Sequence, residues 1–551
     1  MKSASNGSDL TPQEFDALSR PVQLDLLRRV DPHQKMTLLL DAEQREELMA
    51  ALPAQEVYQM VKAIGPEQCP DLLDLASPAQ WTAFFDFECW AGDRIDPNLA
   101  RFWVTLLLKG DGYKVMERLQ QVNFELLVLI LKKELLVLAG PDAIEDDDAR
   151  AEAQQRDGGY QIEYRDEKAS RLYGPLFSQL FTVTPSFYRY LLDTVCSESE
   201  SLIEESVYQQ RTGRLLDFGF PDPLEARLVY AWLDPEGFRA DDEQKLAMGL
   251  ADESQAPGFA LNLFRPEGLL GEILDAGVDE ATAWELTCLI NKVTLADGID
   301  VGDLKQIRGC IQKVYGLLEV ALQSLAGTDM TRASELFRSV YCEHLFRLGF
   351  SLTLRLQRRA SHLVESTVGP YLDRPFRAFL DPLLETCPRF YRGLEEEGLE
   401  TAGLFSALHQ VRLCEEWLDL LEVQQRLFEQ HFDFALLPPE EFDLEAVMLE
   451  TVDDLSLSEL FLTALANRLL GRSFQPEPVA VADLEGLHRQ VCHAGQLAPV
   501  LIEETVAWLD SLEPGGGSFA EYCLEFWQEA FCNISLEDLD PRFIGGILVR
   551  K

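Results

Sequence analysis

A short motif built on proline and glutamine recurs six times near the beginning of the chain, and its spacing leaves few folds open. The proline-equivalent positions are 21, 32, 42, 54, 66 and 78, so the last three intervals are twelve residues each. Thr11-Pro12-Gln13-Glu14 reads as a degenerate first copy. Asp31, Asp41, Ser77 and Gly65 stand where a helix N-cap belongs, and proline in the following position sacrifices no helical hydrogen bond. Apolar residues follow three, six, seven and ten places on: Val57, Met60, Val61 and Ile64, then Cys69, Leu72, Leu73 and Ala76. The sixth copy carries Trp81, Phe84 and Phe85 and lapses at Glu88. That spacing is one stripe of a helix. A ten-residue helix with one apolar stripe does not hold in water alone. The copies are therefore expected to pack as antiparallel hairpins stacked into a solenoid.

Helical patterning continues through Pro97–Lys109, Tyr113–Gln121 and Phe124–Ala139. Residues 140–159 are acidic and of low complexity, with Glu145-Asp146-Asp147-Asp148, and predict a linker. Tyr160–Arg165 alternates apolar and polar residues and predicts a strand. Phe220-Pro221-Asp222-Pro223 predicts a turn opening a helix capped by Asp222. The expected fold class is all-α: an N-terminal helical-repeat solenoid followed by helical lobes with one minor β-hairpin element. The expected division is a repeat domain at 10–139, an acidic linker at 140–159, a central helical lobe with a small β element at 160–236, and a C-terminal helical domain at 260–551.

Charge narrows the function classes. Lys and Arg number 48 against 94 Asp and Glu, a net charge of −46 with no basic stripe, which repels a phosphate backbone and an anionic membrane surface. Nucleic acid is not an expected partner, and no membrane insertion is expected. The most apolar run, Phe124–Ala139, contains Glu125, Lys132, Lys133 and Glu134 and cannot span a bilayer cheaply. The opening MKSASNGSDL lacks an apolar signal core, and the eleven cysteines include no C-x-x-C pair. Reduced, core-filling thiols and a cytoplasmic location are the expectation.

The repeat array at about 10–90 resembles the cytosolic N-domain of MgtE-type magnesium channels and the helical repeats of the flagellar rotor protein FliG, where such arrays regulate or dock proteins. Over nearly its whole length the chain resembles an uncharacterised bacterial family, domain of unknown function number 6178. The stretches carrying that likeness are Tyr160–Tyr164, Gly213–Ala226 with Tyr230–Pro235, Asn291–Asp303, His344–Arg359 and Leu372–Leu384. The family likeness implies an all-helical cytosolic protein and transfers no activity, ligand or catalytic residue.

The phosphate loop, nucleophile elbow, zinc helix and dinucleotide fingerprint are all missing from the sequence. Three constellations remain. Asp297, Asp300 and Asp303 sit in a loop that fails the EF-hand pattern, because its positions 3 and 12 are Ile299 and Arg308. It reads as an interhelical turn capped by aspartates, with a looser Mg²⁺ site as the alternative. Glu485, His488 and Cys492 lie along one helix face and could share a cation, although no second Glu-x-x-His pair completes a di-iron set. Arg347, Arg355, Arg358 and Arg359, beside Cys342-Glu343-His344, form either an anion site or ordinary partners for neighbouring acidic helices.

The functional expectation is a non-enzymatic scaffold or regulator that docks another protein through its N-terminal repeats, with no cofactor and an open oligomeric state. A divalent-cation-responsive regulator and an enzyme with an unfamiliar helical active site are the alternatives.

Overall fold

The computed structural model describes residues 12–109, 112–139, 160–245, 263–436, 455–536, 539–540 and 544–550. It is about 69% helical, with only short strands, which makes the fold all-α. The acidic segment 140–159 lies outside the described residues. The chain forms two compact units: Met1–Ala231 with Ala240–Tyr315 and Met330–His344, and Trp232–Arg239 with Gly316–Asp329 and Leu345–Lys551.

The first unit opens with short helices: α1 (Pro12–Asp16), α2 (Arg20–Arg29), α3 (Pro32–Asp41), α4 (Arg45–Ala51), α5 (Ala54–Ile64), α6 (Pro70–Leu75) and α7 (Pro78–Glu88). Asp31 caps α3 by accepting from the His33 and Gln34 amides. Ser77 and Gln80 form a reciprocal capping box on α7. Two expected starts fall elsewhere. Asp41 closes α3 instead of opening the next helix, and α4 begins at Arg45. The copy starting at Pro66 breaks into a 3₁₀ turn, Pro66–Gln68, and α6, because Pro70 cannot donate the hydrogen bond a continuous helix needs.

These short helices pack on one another, with α3 touching α2, α4, α5 and α6. α3 packs on α5 and α5 on α7, while α2 packs on α4 and α4 on α6. The predicted apolar positions of copies four to six are buried without exception. Glu88, where the stripe lapses, accepts from Tyr58 Oη (3.1 Å), Trp103 Nε1 (3.0 Å) and Lys62 Nζ (2.7 Å). Its charge is therefore met by three donors.

One stripe does not describe α5 and α7, however. Ala54–Val61 and Gln80–Asp86 are buried on every face, because later parts of the chain cover the side the stripe leaves open. Gln55 and Asn291 exchange amide hydrogen bonds at 3.2 and 3.3 Å. Buried Asp86 receives Arg214 through two bonds of 2.6 and 2.9 Å. Helix α8 (Pro97–Leu107), helix α9 (Gly112–Gln121) and helix α10 (Phe124–Glu134) continue the unit, and one apolar core runs from Phe15 to Val207. At its centre Tyr58, Trp81, Phe84 and Trp103 pack ring to ring at 5.3–6.1 Å.

The expected helix 124–139 stops at Glu134. Leu135–Ala139 is a strand, antiparallel to Gln161–Tyr164 with Leu135 opposite Tyr164. Burial alternates along it: Leu135 and Val137 are 5% and 6% exposed, Leu136 and Leu138 57% and 44%. An all-apolar run hides that alternation, whereas Gln161–Tyr164 displays it. The single expected β element becomes five two-stranded ladders among the described residues, four of them no longer than two residues per strand.

In the second unit, helices Leu408–Arg426, Leu457–Leu469 and Gly516–Trp527 bury Leu418, Leu421, Leu460, Phe461 and Trp527. Val479–Ala480 pairs in parallel with Val549–Arg550. Asp373 is buried here, accepting from the Ser458 amide at 3.4 Å, and burial holds its carboxyl above the usual aspartate range. An acid whose folded pKa exceeds its unfolded value, about 3.9, binds its proton more tightly when folded. Stability is therefore lost as pH rises from that value through the raised folded one. The stability difference between Asp373→Asn and the parent should grow in favour of Asn across that window. Urea titrations of both proteins at several pH values check this, and a pH-independent difference would contradict it.

Candidate functional site

The first unit contains a cavity of about 430 Å³ whose lining mixes aromatic, charged and thiol side chains. Helix Glu280–Ala296 supplies most of one wall. Asp279 caps it through the Thr282 amide, and that bond holds the Asp279 carboxyl below the usual range. Trp284, Cys288 and Lys292 follow at four-residue steps, with Glu285 and Leu289 one place on, so all five line the cavity from one face.

The second wall is the end of helix Glu200–Asp217, with Leu216, and the turn after it, with Gly219 and Pro221. Gly219 has φ +81°, and a Cβ there would lie 2.9 Å from Cys288 Sγ and 3.3 Å from Cys288 Cα. The Asn291 side chain donates to the Phe218 carbonyl at 2.8 Å and fixes the turn against the helix. Gly219→Ala is expected to cost about 2–4 kcal/mol, combining left-handed backbone strain with overpacking. Cys288→Ala should return part of that loss in the double variant, by urea denaturation. Additive effects would show that the turn does not press on Cys288.

The third wall is the start of helix Cys342–Glu365, with Tyr341, Glu343 and His344. Lys292 Nζ reaches both Glu343 oxygens, at 3.0 and 2.9 Å. Glu285 accepts from Lys245 Nζ at 2.7 Å and from the Cys342 amide at 2.6 Å. His344 Nδ1 lies 2.7 Å from Glu243 Oε2, off the direction of a hydrogen bond. Burial, then the nearby Glu285 charge, pushes the Cys288 thiol up to about 12. Burial raises the Cys342 thiol as well. Neither sulfur is a thiolate near neutrality, so neither is poised as a nucleophile. The arrangement can hold a ligand between aromatic walls and fixed charges.

The residues singled out in sequence are placed as follows. Asp297 accepts from Tyr230 Oη at 2.7 Å and pairs with Lys313. Asp300 accepts from the Gly302 amide at 2.8 Å. Asp303 caps the next helix through the Lys305 and Gln306 amides, which hold its carboxyl below the usual range. These three aspartates therefore serve the turn. Glu485 pairs with Arg489 in solvent, His488 Nε2 lies 3.0 Å from the Ile534 carbonyl, and Cys492 is bonded to Cys532. Among the described residues no group of three or more His, Cys, Asp or Glu could hold a metal ion. The disulfide also corrects the expectation that every cysteine is reduced; the other nine form none.

Arg355 pairs with Glu415 at 2.5 Å, Arg359 with Asp419 and Glu422 at 2.5 and 2.7 Å, and Arg358 stacks 3.9 Å over the Trp232 ring. The arginines thus face acidic and aromatic neighbours of their own unit. Of the flagged Cys342-Glu343-His344 trio, Glu343 and His344 line the cavity and Cys342 is buried behind it. Sequence reasoning missed Trp284, Glu285, Cys288 and Lys292, whose four-residue step is shared by any helix face. Three stretches carrying the family likeness do meet here: 213–226 through Gly219, 291–303 through Lys292, and 344–359 through His344.

No helix among the described residues is long and apolar enough to cross a membrane. No curated protein and no solved structure matches the chain, and the likeness of the repeats to the magnesium-channel domain and the rotor protein has no support beyond the repeat pattern itself. A family model described as "Family of unknown function (DUF6178)" matches residues 12–550.

Proposed function

Because the chain belongs to the DUF6178 family, which brings no activity with it, we propose from its geometry that it is a non-enzymatic regulatory or scaffolding protein that binds rather than transforms its ligands. One observation carries this reading. The fixed charges lining the cavity are paired within the chain: Lys292 with Glu343, and Glu285 with Lys245. Lys292 and Glu285 are thus engaged in ion pairs, and burial keeps the neighbouring Cys288 and Cys342 thiols protonated, so neither thiol is an activated nucleophile. A cytoplasmic location is part of the proposal; the nine cysteines outside any disulfide favour it and the Cys492–Cys532 bond counts against it.

The partner expected to dock through the N-terminal repeats has little of α5 and α7 to meet, since these are covered by the chain itself, and the docking surface proposed here is the exposed apolar group at 216–228. Leu216, Leu224 and Leu228 are exposed at 58%, 75% and 58%, and Leu224 and Leu228 share a helical face. The test is affinity capture of the tagged protein at native abundance, beside a Leu224→Asp/Leu228→Asp variant of unchanged melting temperature. A partner recovered with the parent and lost with the variant is the expected result. Recovery of the parent always alone would overturn the scaffold reading.

A further inference from the structure

We propose that the cavity lined by helix Glu280–Ala296, the 216–221 turn and the start of helix Cys342–Glu365 binds a small organic amine with an aromatic or apolar body. The proposal deepens the binding reading above and rests on it. About 430 Å³ is within the range of small-molecule sites, roughly 300–1,000 Å³. Trp284, Leu289, Tyr341 and Pro221 supply apolar and aromatic lining, and an aromatic ring can attract a cation over its face.

The polar lining selects the sign of the ligand. A carboxylate has about four acceptor sites. Glu343 has two of them engaged by Lys292, and Glu285 meets Lys245, the Cys342 amide and the Cys342 thiol. Lys292 has spent two of its three N–H donors on Glu343. Among the lining residues two carboxylates, Glu285 and Glu343, stand against one ammonium, Lys292, so the fixed charge of the lining favours a cationic ligand. An anion would meet two carboxylates, with the one lining lysine already paired to Glu343. The chain's net charge of −46 also concentrates cations around the protein.

The experiment uses the full chain and three indoles of one shape: tryptamine (cation), 3-methylindole (neutral) and indole-3-acetate (anion). Binding is read by calorimetry and by thermal shift against an ionic-strength-matched salt control. Tryptamine should bind at least about tenfold more tightly than either analogue, the lower end for charge-assisted hydrogen bonds. Glu343→Gln should weaken tryptamine about tenfold by the same reasoning. Leu216→Lys, at the exposed rim, adds a repelling cation without touching the core and should weaken it too. Equal or tighter binding of the anion, no binding of any indole, or tryptamine binding indifferent to both substitutions would overturn the assignment. Tryptamine that binds as expected but is recovered chemically altered would support the site and overturn the non-enzymatic reading.

Discussion

Asp86→Ala is expected to remove about 3–5 kcal/mol of stability, the usual cost of stripping one partner from a buried ion pair. Asp86 is completely buried on α7 and holds Arg214 through both carboxylate oxygens. Arg211 donates to the Asp86 carbonyl at 2.8 Å and stacks 5.3 Å from the Trp90 ring. Burial pulls the Arg211 guanidinium below its ordinary range, and the nearby Asp86 charge opposes that. With alanine at 86, two guanidiniums would be left close together in a poorly solvated place, with no anion between them. Asp86→Asn keeps the shape and should lose less. Asp86→Ala combined with Arg214→Met should recover part of the loss, because the orphaned charge disappears with its partner. Urea denaturation followed by circular dichroism measures all of these. A loss for Asp86→Ala below about 1 kcal/mol would mean the pair behaves as a solvated surface contact.

That pair also marks the boundary of what the sequence could reveal. The recurring proline-started motif located α3, α5 and α7 because local periodicity and capping chemistry act over one or two turns. Asp31 and Ser77 cap as written, and Val57, Met60, Val61 and Ile64 are buried as spaced. Asp86 and Arg214 are 128 residues apart, and Gln55 and Asn291 are 236 apart. No local pattern announces that such groups meet, so the covered side of the array was invisible. Leu135–Ala139 was absorbed into a helix because five apolar residues in a row fit either period, and only pairing with Gln161–Tyr164 decides between them. The cavity is similar. Its Glu343 and His344 stood out for their chemistry, whereas Trp284, Cys288 and Lys292 needed the opposing Gly219 turn before their shared face meant anything.

Reducing the Cys492–Cys532 disulfide should destabilise the chain by about 4 kcal/mol, from the loop-closure entropy of a loop of this length. The bond joins residues 40 apart in sequence, tying the end of helix Val481–Val491 to the π-helical turn Gln528–Cys532. His488, one turn before Cys492, packs its ring 5.3 Å from Phe531 and faces the Ile534 carbonyl, so the bridge and the histidine clamp the same two segments. Both cysteines are buried, which should slow attack by a reductant on the folded protein and make its loss of stability lag behind its exposure to the reagent. The paired Cys492→Ser and Cys532→Ser variant avoids that lag and should show the full decrease at once in urea titrations. The bond is checked separately by counting thiols in the denatured, unreduced protein. Nine reactive thiols are expected, since the other nine cysteines form no disulfide. A count of eleven, from protein isolated with its thiols alkylated at lysis, would mean the pair is kept reduced in its home compartment. The stability loss would then have nothing to come from, and the serine pair should unfold with the parent to within the small cost of two buried hydroxyls.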